Sequence, residues 1–132
     1  MEEEIIQALK VLQSGGVILY PTDTIWGLGC DATNPDAIQK IYKIKQREES
    51  KALITLVSDK KMLKQLTNTI PEMDITSNPT TVIYQNVKGL SENLLEEDGT
   101  AAIRIPSEEF CKKLLTEFGK AIVSTSANIS ED

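Results

Sequence analysis

The sequence contains no histidine, and this absence excludes several classes of chemistry at once. Histidine is the commonest general base, the usual partner of a nucleophilic serine or cysteine, and a frequent zinc ligand. The only two cysteines, Cys30 and Cys111, lie far apart and form no C-x-x-C motif. This spacing favours plain buried thiols over a disulfide or a metal pair. Any catalysis must therefore depend on other groups.

Long apolar runs and a basic leader are also missing. The longest apolar run, Val17 to Tyr20, is far too short to span a bilayer. Three glutamates follow the first methionine, where a secretory signal would be basic. These features predict a cytoplasmic protein without membrane contact. With 132 residues, 40 % of them hydrophobic, the chain is expected to form one domain around one core.

Charge is distributed unevenly along the chain. Residues 40–64 hold eight cations and three acids, a local charge of +5, whereas the whole chain carries −6 and the remainder therefore −11. Such asymmetry is consistent with a site for an anionic ligand, and equally with a solvated helix face.

The apolar pattern predicts an α/β fold, in which helices and strands interleave. Several strands follow one another without a helix between them, so we expect a mixed sheet rather than a parallel one. Expected helix caps are Asn34, Ser58 and Ser107, with Gly119 ending the last helix. The predicted helices cover about residues 3–14, 35–45, 59–66 and 108–118; the predicted strands cover about 17–20, 25–30, 53–57, 80–84, 101–105 and 121–124.

Three polar clusters lie where ligand-binding residues of an α/β protein are expected, at the ends of strands or helices. The first is PTDT, after the first strand; the second surrounds the end of the second helix; the third is STSAN, in the last strand and beyond it. Each has a structural explanation: turn formation for PTDT, a solvated face for the cations, and a helix cap for STSAN. Three such clusters together are harder to explain structurally than one.

The cationic cluster can be weighed by energy. Like charges four residues apart, such as Lys43 and Arg47, cost about 0.2 to 0.5 kcal/mol on an isolated helix. A charge-assisted hydrogen bond to phosphate contributes about 1.5 to 3 kcal/mol, which exceeds that repulsion. Lys45, Arg47 and Lys51 extend from the helix end into the next loop, so they could converge on one anion. Phosphate binding and simple solvation both remain open. The GLG at residues 27–29 is no dinucleotide fingerprint, and no Walker A loop is present.

Taken together, the clusters resemble the YrdC family, the threonylcarbamoyl-adenylate synthases that begin the threonylcarbamoyl modification of tRNA. The combination of YPTDT, K-x-R and S-x-N is specific, although each motif alone is weak. The resemblance covers most of the chain, in the segments GGVILYPTDTIWGLGCDATNPDAIQKIYKIKQR, KALITLV, PTTVIY, AAIRIP and IVSTSANIS. It implies a twisted open mixed sheet flanked by helices, with a concave ligand-binding surface. Because the family continues past this point, it also implies one YrdC-like domain, residues 1–132, without the family's C-terminal segment.

The resemblance further implies an activity. In the family, L-threonine and bicarbonate form a carbamate that attacks the α-phosphate of ATP, giving threonylcarbamoyl-AMP and pyrophosphate, with Mg²⁺ accompanying ATP. Partner proteins then transfer the threonylcarbamoyl group to tRNA. No step requires histidine or a covalent enzyme intermediate, since Lys, Arg and Mg²⁺ can neutralise the developing charge.

Site residues follow from the matched motifs. Lys45 and Arg47 match the catalytic K-x-R pair, and Lys51 joins them on the nucleotide phosphates. Thr24 matches a threonine-contacting residue. The other implied binding residues are Thr81, Arg104, Ser124, Ser126 and Asn128. A different class of function remains open, a non-catalytic YrdC-like module that binds RNA or nucleotides through the cationic segment.

Overall fold

The structure is a computed structural model that describes residues 2–21, 26–45, 53–68, 81–95 and 98–126. Within these ranges the chain forms four α-helices, one short 3-10 helix and six strands. The helices are α1 (Glu2–Gln13), α2 (Pro35–Lys45), α3 (Lys60–Lys64) and α4 (Glu109–Phe118), and the 3-10 helix is Glu92–Leu94. The strands are β1 (Ile18–Pro21), β2 (Trp26–Asp31), β3 (Ile54–Leu56), β4 (Val82–Tyr84), β5 (Ala101–Arg104) and β6 (Ile122–Ser126).

All six strands belong to one mixed sheet in the order β1-β2-β6-β3-β5-β4. The last strand in sequence, β6, therefore lies near the middle and is antiparallel to both of its neighbours, β2 and β3. Among the neighbouring strands that the structure describes, only the β3–β5 pair is parallel. The predicted mixed α/β sheet is thus confirmed.

Two apolar layers cover the two faces of the sheet. Successive residues of a strand point to opposite faces, so Val123 packs in the layer with α2 and α3, whereas Ile122 packs in the layer with α1 and α4. On one side Ile38 and Ile41 of α2 are fully buried. On the other, Leu114 of α4 is 1 % exposed. The sheet is consequently held between two helix pairs.

Local capping explains where the helices begin. The Oδ1 atom of Asn34 accepts hydrogen bonds from the backbone N–H groups of Asp36 and Ala37, at 3.0 and 3.2 Å, which confirms Asn34 as the cap of α2. Gly119 ends α4 with a φ of +77°, the left-handed conformation that glycine adopts without steric cost.

Two predicted caps are wrong by one residue. Asp59, not Ser58, caps α3, because its Oδ1 accepts from the N–H of Met62 at 2.9 Å. Glu108, not Ser107, caps α4, and its carboxylate accepts from the N–H of Cys111 at 3.0 Å. In each case a carboxylate next to the expected serine caps the helix, and a negative charge there also interacts favourably with the helix dipole.

The last strand is longer than expected. It continues to Ser126 instead of ending near residue 124. The reason is that β2 pairs with β6 over its whole length, from Ile122 to Ser126, where Gly27 is the last partner. The structural explanation of STSAN as a helix cap therefore fails for Ser124, Thr125 and Ser126, which are strand residues. Among the described helices none is long and apolar enough to cross a membrane.

Candidate active site

Strand register brings described residues that flank two of the predicted clusters to one end of the sheet. Pro21 at the end of β1 pairs with Trp26 at the start of β2, and Ser126 at the end of β6 pairs with Gly27. We call this end, defined by Pro21, Trp26 and Ser126, the candidate edge. The PTDT cluster falls between Pro21 and Trp26, so both of its flanks lie here. Thr24 itself is outside the described residues.

Helix α2 leads back to the candidate edge. β2 runs away from this edge, from Trp26 to Asp31, and α2 starts only four residues later at Pro35 and packs against β2. Since α2 packs on β2 after a short connection, we infer that it runs back along β2, which puts the backbone of its last residue, Lys45, toward the edge where β2 began. The 11 residues of α2 cover about 16 Å at a rise of 1.5 Å per residue, which is enough to span β2.

The chain after α2 returns to the sheet at the same edge. Ile54, the first residue of β3, pairs with Ser124 of β6. Leu56, two residues farther along β3, pairs with Ile122. The residues that join Lys45 to β3 thus have both ends near the end of β6. Arg47 and Lys51 belong to this connection and lie outside the described part of the chain, as does Asn128.

Ser124 is the predicted site residue whose surroundings are best defined. It is half-buried on β6, and its Oγ accepts a hydrogen bond from the hydroxyl of Tyr20 at 2.5 Å. Ser126, two residues farther along β6, is positioned by its pairing with Gly27. The backbone of β6 at Ser124 and Ser126 is therefore held in place by its pairing within the sheet.

Tyr20 reaches Ser124 through an apolar layer. Its side chain is 2 % exposed and its ring stacks on Phe110 of α4, with ring centroids 6.5 Å apart. Burial raises the pKa of Tyr20 well above that of a free phenol, and the hydrogen bond with Ser124 opposes this only in part. Tyr20 is consequently a neutral hydrogen-bond donor over the whole physiological range.

Arg104 and Thr81 lie toward the opposite end of the sheet. Arg104 pairs with Leu56, in the row of Ile122 where β6 begins, and is half-buried. Thr81 is exposed and directly precedes Val82, which pairs with Ile103 beside Arg104. Two strand spacings and two residue rises separate the Cα atoms of Ser124 and Arg104 by roughly 12 Å. Ser124 and Arg104 are therefore two strands apart in the sheet.

The cations of residues 40–64 do not all lie in one place in the structure. Lys40 donates a hydrogen bond from its Nζ to the backbone oxygen of Gly15 at 3.0 Å, so it has a structural role. The lysines of α3 follow the end of β3 and therefore begin at the end of the sheet opposite the candidate edge. Of the cations that the structure describes in this segment, Lys40 and the lysines of α3 are therefore separated from the candidate edge.

Over the described residues no group of three or more acidic or cysteine side chains could hold a metal ion. Cys30 and Cys111 are both buried, which confirms the predicted burial of the two thiols.

Comparison with known proteins identifies the family. The family model described as "Telomere recombination" (Sua5_yciO_yrdC) matches residues 10–132. The chain belongs to this Sua5/YciO/YrdC family. The predicted resemblance is therefore confirmed.

Curated relatives support the same assignment. A Threonylcarbamoyl-AMP synthase of Psychromonas ingrahamii is 34 % identical over 98 % of this chain and 72 % of its own length. The enzyme of the same name from Pseudoalteromonas translucida is 36 % identical over 98 % of this chain and 73 % of its own length.

Solved structures share the fold. P. abyssi Sua5 complexed with L-threonine superposes with a TM-score of 0.85 at 26 % identity, covering 98 % of this chain and 40 % of that one. The E. coli YciO structure superposes with a TM-score of 0.81 at 26 % identity, covering 95 % of this chain and 64 % of that one. This chain therefore spans about two-fifths of the length of that Sua5 protein.

Sequence reasoning missed Tyr20 as a residue connected to the site. The available signal was its position, the last apolar residue of a strand directly before PTDT. A tyrosine placed there can bury its ring while its hydroxyl remains within reach of polar neighbours.

Proposed function

We propose that this chain forms threonylcarbamoyl-AMP and pyrophosphate from L-threonine, bicarbonate and Mg·ATP, as a step in the threonylcarbamoyl modification of tRNA. The observation that supports this best is the strand register, since Pro21, Trp26, Ile54 and Ser126 bring the flanks of all three polar clusters to the candidate edge. The names of the curated relatives and the threonine complex of P. abyssi Sua5 point to the same reaction.

The reaction requires alignment and charge neutralisation rather than a protein nucleophile. Threonine nitrogen and bicarbonate first form a carbamate with loss of water. A carbamate oxygen then bonds to the α-phosphorus, the bond from that phosphorus to the bridging oxygen breaks, and pyrophosphate leaves with the negative charge. Holding the two reactants in line converts an encounter into an intramolecular step.

The proposed roles of the residues follow from charge. Lys45, Arg47 and Lys51 neutralise the phosphates while charge moves to the leaving pyrophosphate. Ser124 and Ser126 contribute hydroxyl contacts from the rigid central strand, together with the Asn128 amide. Thr24 contacts threonine. Arg104, whose Cα atom lies roughly 12 Å from that of Ser124, and Thr81, one strand farther across the sheet, would contact the far end of the nucleotide.

A direct assay tests the proposal. Pure protein incubated with Mg·ATP, threonine and bicarbonate should yield threonylcarbamoyl-AMP, detected by mass spectrometry, and pyrophosphate in equal amount. Omitting bicarbonate or threonine should abolish both. A protein that gives no product while a Threonylcarbamoyl-AMP synthase assayed beside it is active would refute the catalytic proposal.

The RNA-binding alternative has its own signature. Neutralising several tRNA phosphates would make the affinity fall steeply with salt. The division of the cationic segment between Lys40, α3 and the candidate edge leaves fewer adjacent cations than the sequence suggested. Salt-sensitive tRNA binding that is lost in Lys45→Ala/Arg47→Ala, in a protein without synthase activity, would favour the alternative.

A further inference from the structure

The contact between Tyr20 and Ser124 spans an intervening strand. Tyr20 is on β1 and Ser124 is on β6, with β2 between them. In the register Tyr20 pairs with Gly27, whereas Ser124 pairs with Gly29. The tyrosine ring therefore crosses β2 diagonally before its hydroxyl meets the serine.

Gly29 makes this crossing possible. A Cβ atom at position 29 would lie 2.8 Å from Cε1 of Tyr20 and 3.0 Å from the backbone oxygen of Val123. Carbon atoms do not approach so closely, and a backbone oxygen in the central strand cannot move aside easily. Glycine at position 29 is therefore explained by steric space, because any side chain there would collide with the Tyr20 ring.

The direction of the hydrogen bond determines what Ser124 can do. A serine hydroxyl has one proton to donate and lone pairs that accept. Because a phenol is more acidic than a serine hydroxyl, Tyr20 is the favoured donor in this contact. The single proton of Ser124 is then left for another partner. Ser124 is only half-buried, whereas Tyr20 is almost completely buried, so the serine is the member of the pair that a ligand can reach.

We propose that Tyr20 is a positioning residue, which holds Ser124 by hydrogen bonding and commits its hydroxyl proton to an anionic oxygen of the bound ligand. This inference rests on the proposed function and extends it to Tyr20, a residue that is not among the proposed ligand contacts. Tyr20 does not touch the ligand. It acts through Ser124, and Gly29 gives it the space to do so.

A double-mutant cycle tests the inference. The four proteins are wild type, Tyr20→Phe, Ser124→Ala and the double variant, each checked for folding by circular dichroism. The readouts are kcat/KM for threonylcarbamoyl-AMP formation and calorimetric Kd for Mg·ATP. Tyr42→Phe is a matched control, because Tyr42 is also 2 % exposed and its hydroxyl donates to the backbone oxygen of Asn93 at 3.1 Å, in the other apolar layer.

We expect Tyr20→Phe to lower kcat/KM about 2- to 12-fold, the value of one neutral hydrogen bond. In the Ser124→Ala background the same change should have little further effect, because its partner is already absent. Tyr42→Phe should leave kcat/KM within about twofold of wild type.

Three outcomes would overturn the inference. They are an unchanged kcat/KM in Tyr20→Phe, an equal loss in both backgrounds, or a loss in Tyr42→Phe as large as that in Tyr20→Phe. These outcomes are distinguishable from failure of the proposed function. A wild type that neither forms product nor binds Mg·ATP refutes the proposed function and this inference together, whereas an active wild type without coupling refutes this inference alone.

Discussion

Ile54 of β3 pairs with Ser124 of β6, and this pairing connects two segments that are 70 residues apart in sequence. One is the chain that leaves α2 after Lys45, and the other is the serine cluster at the end of β6. Because β6 lies between β2 and β3, it also brings the flanks of PTDT to the same edge. The candidate site is therefore a consequence of strand order.

Replacement of Lys45 or Arg47 by alanine should weaken both the binding of Mg·ATP and turnover. Each charge-assisted hydrogen bond to phosphate contributes about 1.5 to 3 kcal/mol, so each substitution should cost roughly 10- to 150-fold in kcat/KM. Calorimetry and the product assay measure the two effects. Lys43→Ala is the matched control, since Lys43 is an exposed lysine of the same helix with no proposed contact, and it should remain near wild type. Equal losses in all three variants would indicate a general effect of charge.

The Cys30 thiol should be unreactive in the folded protein. Burial raises its pKa to about 12, and the adjacent Asp31 carboxylate adds to this. Near pH 8 an alkylating reagent followed by mass mapping should leave Cys30 unmodified unless the protein is unfolded. Rapid labelling of Cys30 under native conditions would contradict its burial.

The raised pKa of Cys30 should also make the stability of the folded protein depend on pH. Above about pH 9 the unfolded chain releases the Cys30 proton, whereas the folded protein retains it up to about pH 12. The free energy of unfolding should consequently decrease as pH rises above 9. Urea unfolding between pH 8 and 10 measures the slope, and Cys30→Ala should make it shallower. An unchanged slope in that variant would assign the pH dependence to other groups.

Alanine substitutions of a buried and an exposed isoleucine on neighbouring strands should differ strongly in their effect on stability. Ile103 of β5 is 1 % exposed, whereas Ile83 of β4 is 70 % exposed. Ile103→Ala should therefore lower the free energy of unfolding by about 2 to 5 kcal/mol. Ile83→Ala should change it by about 0.5 kcal/mol or less. Similar losses in urea unfolding of both variants would mean that Ile83 is covered in solution.

The cap of α2 should contribute measurably to stability. Asn34→Ala removes the side-chain oxygen that accepts from Asp36 and Ala37, and should cost about 0.5 to 2 kcal/mol. Asn34→Ser keeps a capping oxygen and should lose less. Thermal unfolding of the two variants gives the comparison, and equal losses would show that the side-chain oxygen has no capping role.

Local elements were predictable because their signals are local. Asn34, Pro35 and the apolar stripe of α2 predicted that helix correctly from start to end. The caps at Asp59 and Glu108 were missed because each carboxylate competes with an adjacent serine, and sequence alone does not decide between them. The extension of β6 to Ser126 could not be predicted, since it depends on pairing with a distant strand.

The sequence predicted which residue types form the candidate site better than it predicted how those residues are arranged in space. The clusters pointed to phosphate chemistry, and the motifs pointed to the family, which the comparisons confirm. Sequence could not show that Lys40 bonds to Gly15 or that Arg104 lies in the row of Ile122, away from Ser126. Both depend on contacts between residues remote in the chain. The contact of Tyr20 with Ser124 was hidden for the same reason.

The most direct test of the central claim is an NMR titration of ¹⁵N-labelled protein, first with Mg·ATP and then with threonine. If the three clusters form one site at the candidate edge, the largest amide shifts should fall on Trp26, on the last turn of α2 and on Ser124 to Ser126. The opposite ends of β1 and β2, near Ile18 and Asp31, lie away from every proposed contact and should respond weakly. Shifts concentrated at that opposite end, or no shifts at millimolar ligand, would contradict the account.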